Sequence, residues 1–301
     1  MKKVISMILL LIFTGALIGC GNSESAKGFQ VSDSRGVQVS FESVPQKMIS
    51  LTPSNTEILY ALGVGDSLIA VSEYCNYPED TKNKQKLPTG EKLNVETLIA
   101  LKPDVLFLGQ MDAMEDQIKQ LEGAGIKVVV TEANTLADTY KVMDMIGKAV
   151  GKSKEATDLV NGMQKSFADI RKEAEGLTPK SVYVEVSPLQ YGLWSCGRNT
   201  FVQELLEMTG AKNIFDDTEG WSAVSEEQVL ERNPDIIFTT ASPITGIDHP
   251  VGDIAGRTNW GGINAVMNGQ VYMLDADMLS RPGPRLVDAA KQILEVIKQA
   301  K

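Results

Sequence analysis

The sequence predicts an α/β protein: two Rossmann-like lobes with central, mostly parallel sheets, joined by a single long helix, with a ligand cleft between the lobes. Three observations carry that expectation. Residues 153–176 read as one amphipathic helix near the middle of the chain. The segments flanking it contain the same pattern, NVETLIALKPDVLF at 94–107 and SEEQVLERNPDIIF at 225–238. Strand-like and helix-like stretches alternate through both halves, which implies parallel strands with helices on the sheet faces.

The central helix has Ser153 as its expected N-cap and Glu155 in the first turn, where the helix dipole favours an acid. Ala156, Leu159, Val160, Met163, Phe167 and Ile170 recur at three- and four-residue steps and form one apolar stripe. Gly176 closes it and Pro179 forbids continuation. At about 1.5 Å per residue it spans about 35 Å, the width of a small domain. The repeated segments align without a gap: a cap residue (Asn94, Ser225), a glutamate (Glu96, Glu227) and a Pro-Asp step (Pro103-Asp104, Pro234-Asp235) stand at matching places. A long repeat occurring twice indicates two similar lobes rather than a solenoid.

Taken in order, residues 28–46 form an opening hairpin, alternating Phe29, Val31, Val37, Val39 and Phe41 about a Ser34-Arg35-Gly36 turn and ended by Pro45. Met48–Leu51 is the first core strand, and Ser54 with Glu57 makes a capping box for the helix 55–62. The lobe continues with strand 67–71, a solvated lysine-rich loop at 82–92, helix 95–101, strand 105–108, helix 114–124, strand 127–130 and helix 136–150. The second lobe repeats the plan with strand 181–186, helix 199–208, helix 226–231, strand 236–239, an irregular loop at 241–262, strand 271–274 after the Asn268-Gly269 turn, and a last helix 286–299.

The first nineteen residues are different in kind. Lys2 and Lys3 precede an apolar run, Val4 to Ile18, that is the size of a secretory signal and short for a membrane span. The ending Leu17-Ile18-Gly19-Cys20 resembles a bacterial lipobox, in which the cysteine becomes the lipidated first residue; the alternative is an ordinary signal with an incidental cysteine. The expected divisions are a signal peptide at 1–19, a lipidated Cys20 with its tether at 20–28, the first lobe at 29–150, the connecting helix at 151–177 and the second lobe at 178–301. The destination is the outer face of the cell membrane, held by lipid.

The formal charge of −10 becomes −12 once Lys2 and Lys3 are removed. So acidic an exported protein is not expected to bind nucleic acid, which needs a basic patch; a partner with basic contact residues suits it. Beyond Cys20 there is one cysteine per lobe, Cys75 and Cys196. A bond between them would tie the cleft shut, so two free thiols are favoured over a disulfide. With one histidine, His249, and no CxxC, a His/Cys metal site is not expected.

In parallel α/β sheets, the loops beyond the carboxyl ends of the strands carry ligands. Those loops contain Thr52–Thr56, Tyr74 to Tyr77, Tyr191, Trp194, Trp221, Trp260 and Asp277 to Arg285. Flat aromatic faces suit a large planar or polycyclic ligand; the bland alternative is that they are rim or core aromatics. There is no GxSxG elbow, HExxH or phosphate-binding glycine loop, and neither a catalytic residue nor a cofactor of the protein's own is expected. Glu96 and Glu227 admit three readings: an acid/base pair, helix-end electrostatics, or two symmetry-related contacts for a two-fold symmetric partner.

The segments SLTPSNTEILYALGVGDSLIAVSEYCNYP, NVETLIALKPDVLF, GWSAVSEEQVLERNPDIIF and AVMNGQVYMLDADMLSRPGPR resemble class III substrate-binding proteins of ABC importers, which capture iron–siderophore, haem and cobalamin. The resemblance runs from about residue 47 to the C-terminus. It implies two α/β lobes on one rigid helix with little hinge closure, and a permease homodimer with ATPase subunits as partner. Glu96 and Glu227 match the glutamates that dock on permease arginines. Cobalamin binders are most similar: Tyr74 matches their cleft tyrosine, Trp221 a cleft tryptophan, and Asp277 to Arg281 a ligand-contacting segment. Where those proteins carry further first-lobe tryptophans this chain has Gly90 and Gly109, with Trp194 and Trp260 as expected compensation. The expected cargo is cobalamin or another corrinoid. The alternatives are a ferric siderophore or haem, with Arg198, Arg257, Arg281 and Arg285 facing its oxygens; an exported hydrolase using Glu96 or Cys75; and a ligand sensor on the same fold.

Overall fold

A computed structural model of the chain describes residues 28–90, 93–110, 115–242 and 246–300. The expected signal peptide, Cys20 and the tether up to Lys27 lie outside the described residues.

The first lobe opens with an antiparallel hairpin, β1 (Phe29–Ser32) and β2 (Gln38–Phe41). There follow β3 (Met48–Ser50), α1 (Pro53–Ala61), β4 (Leu68–Ser72), β5 (Gln85–Leu87), α2 (Val95–Leu101), β6 (Val105–Gly109), α3 (Glu115–Gly123), β7 (Lys127–Thr131) and α4 (Leu136–Ala149). The five strands β3 to β7 form one parallel sheet in the order β5-β4-β3-β6-β7. The connecting helix α5 runs Ser153–Ala174, and Gly176 takes the left-handed conformation just beyond it at φ 82°.

The second lobe holds β8 (Ser181–Glu185), β9 (Trp194–Cys196), α6 (Phe201–Met208), β10 (Lys212–Asn213), β11 (Trp221–Ala223), α7 (Glu226–Arg232), β12 (Ile236–Thr239), α8 (Pro250–Gly256), α9 (Asn264–Met267), β13 (Val271–Met273), α10 (Ala276–Ser280) and α11 (Leu286–Gln299). Its parallel sheet has the order β10-β8-β12-β13, and β9 with β11 makes an antiparallel ribbon. The four-strand order of this sheet repeats β4-β3-β6-β7 of the first. Central strands such as VLFLG in β6 and IIFT in β12 are buried along their whole length, as a sheet covered on both faces requires.

The sequence repeat is also a repeat of hydrogen bonds. Asn94 accepts from the Thr97 amide at the start of α2, and Ser225 accepts from the Gln228 amide at the start of α7. Both helices end on a left-handed residue, Lys102 and Asn233. Asp104 then accepts from the amides of Gln46 and Lys47, while Asp235 accepts from the amide and hydroxyl of Ser181. Each aspartate thereby ties its strand to the start of the lobe's first parallel strand.

One apolar cluster runs without a break from Val31 and Ile58, through Ala156, Met163, Phe167, Ile170 and Ala174 of α5, to Phe238 and Ile293. The connecting helix therefore belongs to the core of both lobes, which opposes a wide hinge motion. Two further clusters fill the outer sheet faces, one about Leu106 and Val128, the other about Tyr183 and Trp260.

Several local expectations are overturned. Ser153 is the first residue of α5, and Lys152 occupies the cap without a side-chain cap bond. The Ser54–Glu57 capping box is absent: α1 begins at Pro53, its cap Thr52 makes no capping bond, and Glu57 is drawn to arginines of the other lobe. The loop 82–92 contains edge strand β5, in which only Leu87 is buried. The 241–262 segment contains α8 and a helical turn at Trp260–Gly262.

Cys75 and Cys196 are free and buried, one in each lobe. Burial pushes both thiols up, Cys196 to about 12. Because its folded value lies above its unfolded one, this group costs the fold stability as pH climbs from about 9 towards 12. Below that window both sulfurs stay protonated and unreactive. Iodoacetamide at pH 8 is expected to leave Cys75 and Cys196 unmodified in the folded chain and to alkylate both in urea, read by mass spectrometry.

Candidate functional site

Among the described residues, the two lobes touch through polar contacts in two places. At one, the α6 amide of Phe201 donates to the Asn134 carbonyl at 2.7 Å, and Glu204 accepts from the Leu136 amide at 2.9 Å. The other is built from the loop after β4 and the face of α1 on one side, and the segment after β13 on the other. There Glu57, its side chain 2% exposed, takes Arg285 in two bonds of 2.8 and 2.6 Å and Arg281 in one of 3.0 Å. Arg281 also reaches Asn76 at 2.8 Å, the Tyr74 carbonyl at 3.2 Å and Asp277 at 2.6 Å. Asn76 closes the ring by donating to Asp277 at 2.6 Å, and the Arg285 guanidinium lies 4.4 Å from the Tyr77 ring centre. Glu57 and Arg281 are separated by 224 residues in sequence. The carboxyl ends of β4 and β13 thus meet, and this is where an α/β fold presents ligand loops.

Exposed aromatic side chains stand on the loops of both lobes. Tyr74 is 63% exposed, beside Arg281; Trp194 is 43% exposed and Tyr191 67%. In the β9–β11 ribbon, Trp221 stands opposite Cys196, and Ala223 opposite Trp194. Directly paired residues share a face, so both indoles lie on one side of the ribbon as diagonal neighbours. Trp221 is half-buried and rests edge-on against Phe201 at 5.7 Å. Asp277 and Arg281 lie in the ion-pair cluster just described.

Trp260 corrects the sequence reading. Its side chain is fully buried, its indole N–H donates to Glu226 at 2.8 Å, and the Arg257 guanidinium covers its ring at 4.6 Å. It is a core residue of the second lobe with no face for a ligand. Arg257 is equally committed. It binds both oxygens of buried Glu185 at 2.5 and 3.1 Å, and Asp253 at 2.9 Å. Burial raises the Glu185 carboxyl's pKa, and the Arg257 partner limits the rise. Within the Thr52–Thr56 stretch, Ser54, Asn55 and Thr56 are likewise buried. Asn55 bonds to Thr131 at 2.8 Å and Thr56 to Ser50 at 2.8 Å, so these polar groups hold the strand ends together.

Glu96 and Glu227 are exposed, each in the first turn of its repeat helix, and among the described residues no ion pair engages either. Glu227 is held below the usual carboxylate range by its own amide and the Ser225 hydroxyl. Each of these helices precedes a parallel strand, so its first turn lies towards the end of the sheet at which the strands finish. A separate groove of about 570 Å³ between the hairpin and α4, lined by Asp33, Glu132, Asp138 and Lys141 among others, contains none of the expected ligand residues.

Residues 48–278 match the model of a family described as periplasmic binding protein. The uncharacterized ABC transporter substrate-binding lipoprotein YvrC of Bacillus subtilis is 36% identical over 96% of this chain and 95% of its own length. A vitamin B12-binding protein of Pectobacterium carotovorum is 31% identical, covering 83% of this chain and 87% of that protein. The crystal structure of a possible iron-binding (periplasmic solute-binding) protein from Staphylococcus epidermidis is 34% identical with a TM-score of 0.75, covering 85% of this chain and 99% of that one. With two α/β lobes on a shared helix and a continuous match of this extent, the chain belongs to the periplasmic binding protein family, as a substrate-binding protein of an ABC transporter and not an enzyme.

Proposed function

We propose that this protein captures cobalamin or another corrinoid in the cleft between its lobes and delivers it to a membrane permease. The observation that carries the reading is the set of exposed aromatic faces, Tyr74, Tyr191 and Trp194 with half-buried Trp221, on the ligand-bearing side of both sheets. Such faces suit a large, rigid macrocycle, to which they offer apolar contact area and stacking at small cost in side-chain entropy. The similarity to a vitamin B12-binding protein points the same way. Asp277 and Arg281 would supply peripheral hydrogen bonds. The metal arrives inside the cargo, so the chain needs no cofactor of its own.

Delivery follows from the rim. Glu96 and Glu227 stand at equivalent places on two similar lobes, as contacts for the two subunits of a two-fold symmetric permease dimer, which would work with its own ATPase subunits. Cys20 would carry the lipid that keeps the protein at the outer face of the membrane; among the described residues no helix is long and apolar enough to cross one.

The ligand reading is tested by titrating cyanocobalamin into the Trp194→Ala and Trp221→Ala variants. Each is expected to weaken binding by about thirtyfold, the loss of one well-buried aromatic contact of about 2 kcal/mol. Unchanged affinity in both variants would remove the aromatic cleft from the account.

A further inference from the structure

The arginines that would welcome an anionic chelate are already neutralised within the chain. Arg281 and Arg285 are 11% and 13% exposed at their side chains and share Glu57, and Arg281 has Asp277 as a second acidic partner. The direct ion pairs of the junction therefore set two guanidiniums against two carboxylates, and Asp275 adds a further negative charge that acts on Arg285 without an ion pair. Arg257 is spent on Glu185 and Asp253. Arg198 is exposed and lies 3.8 Å from Glu219. Lys86, exposed, donates to the Cys75 carbonyl.

Glu57 makes the difference. It is the first lobe's carboxylate in a cluster whose other ion-paired groups come from the second lobe, buried to 3% exposure in the middle of α1, and its position is dictated by no helix-capping role. Without its charge, the site would become more positive by one unit and the two guanidiniums would keep Asp277 as their one direct ion-pair partner, next to Tyr74, whose carbonyl Arg281 already touches. A positive site within a few Å of the ligand face attracts an ionised carboxylate strongly where water is partly excluded.

We infer that Glu57 is a specificity-determining residue. By pairing with both Arg281 and Arg285 and offsetting their charge, it tunes the cleft to a macrocyclic chelate whose periphery is uncharged and turns away haem and carboxylate-bearing siderophores. The inference rests on the proposed cleft but not on the corrinoid itself, because its test uses a different ligand. It also gives Glu57 a second consequence, since the same bonds fix the spacing between the lobes.

The experiment is a calorimetric titration of the whole chain with haemin, whose two propionates are ionised at neutral pH, and with haemin dimethyl ester. The wild type is expected to bind haemin weakly. Glu57→Gln is expected to bind it at least tenfold more tightly, with the gain shrinking at high salt and absent for the ester. Asp277→Asn leaves Glu57 in place and removes the more exposed carboxylate, so it keeps the test open if Glu57→Gln folds poorly; a smaller gain in the same direction is expected. Tight haemin binding by the wild type would overturn the inference. So would a gain equal for haemin and its ester, or no gain in either variant. Failure of the wild type to bind cyanocobalamin would overturn the proposed cargo and leave the charge inference standing or falling on the haemin result.

Discussion

Replacing Glu57 by alanine is expected to destabilise the folded chain by about 3–5 kcal/mol, the cost of stranding buried partners of a broken ion pair. Glu57 accepts three arginine bonds, two from Arg285 and one from Arg281, and its side chain is 2% exposed. Removing it leaves two guanidiniums nearly shut off from water, with Asp277 as their one direct ion-pair partner. The effect should exceed that of cutting any of the helix-surface pairs, such as Lys154–Asp158, where both partners are in solvent. The loss should appear as a lower urea midpoint for the whole molecule, because one apolar cluster runs through both lobes. A midpoint unchanged from wild type would show that the cluster does not bind the lobes together.

The second large effect concerns delivery. Cells carrying the Glu96→Ala, Glu227→Ala double variant as their only copy are expected to lose at least nine-tenths of labelled cyanocobalamin uptake, while the purified variant keeps wild-type affinity. Neither carboxylate has an ion-pair partner among the described residues, and both are exposed, so their removal should hardly change stability. A charged contact with an arginine across an interface costs about 2–5 kcal/mol when one side is truncated, and two such losses should largely abolish productive docking. The single variants should each retain part of the uptake. Full uptake by the double variant, with expression equal to wild type, would remove these glutamates from the docking face and favour a sensor on this fold.

Much of the architecture was legible because it is local or repeated. The central helix, the two Asn/Ser-capped segments and the buried strands after Pro-Asp all show in hydrophobic period and cap residues, and the structure reproduces them nearly to the residue. Glu57 was illegible for the same reason. Its place three residues after Ser54 imitates a capping box, and its real partners, Arg281 and Arg285, stand more than 200 residues downstream. No short-range pattern distinguishes an acid that caps its own helix from one that reaches across a lobe boundary. Trp260 shows the complementary failure: a tryptophan in a Gly- and Pro-rich segment reads as a loop aromatic, yet Glu226 and Arg257 engage it inside the core. The ribbon that places Trp194 and Trp221 on one face escaped notice because its strands are three residues each and pair across an intervening helix. Exposure of aromatic faces and pairing of arginines are tertiary facts, and they are what the proposed ligand class rests on.

The measurement that bears most directly on the central claim is calorimetric titration of the wild-type protein with cyanocobalamin, run beside a panel of ferric siderophores and haemin. Saturable one-to-one binding of cyanocobalamin at micromolar affinity or tighter, with weak or absent binding of the carboxylate-bearing chelates, is expected. No heat with cyanocobalamin and a clear one-to-one isotherm with a ferric siderophore would contradict the corrinoid reading and move the protein to iron uptake.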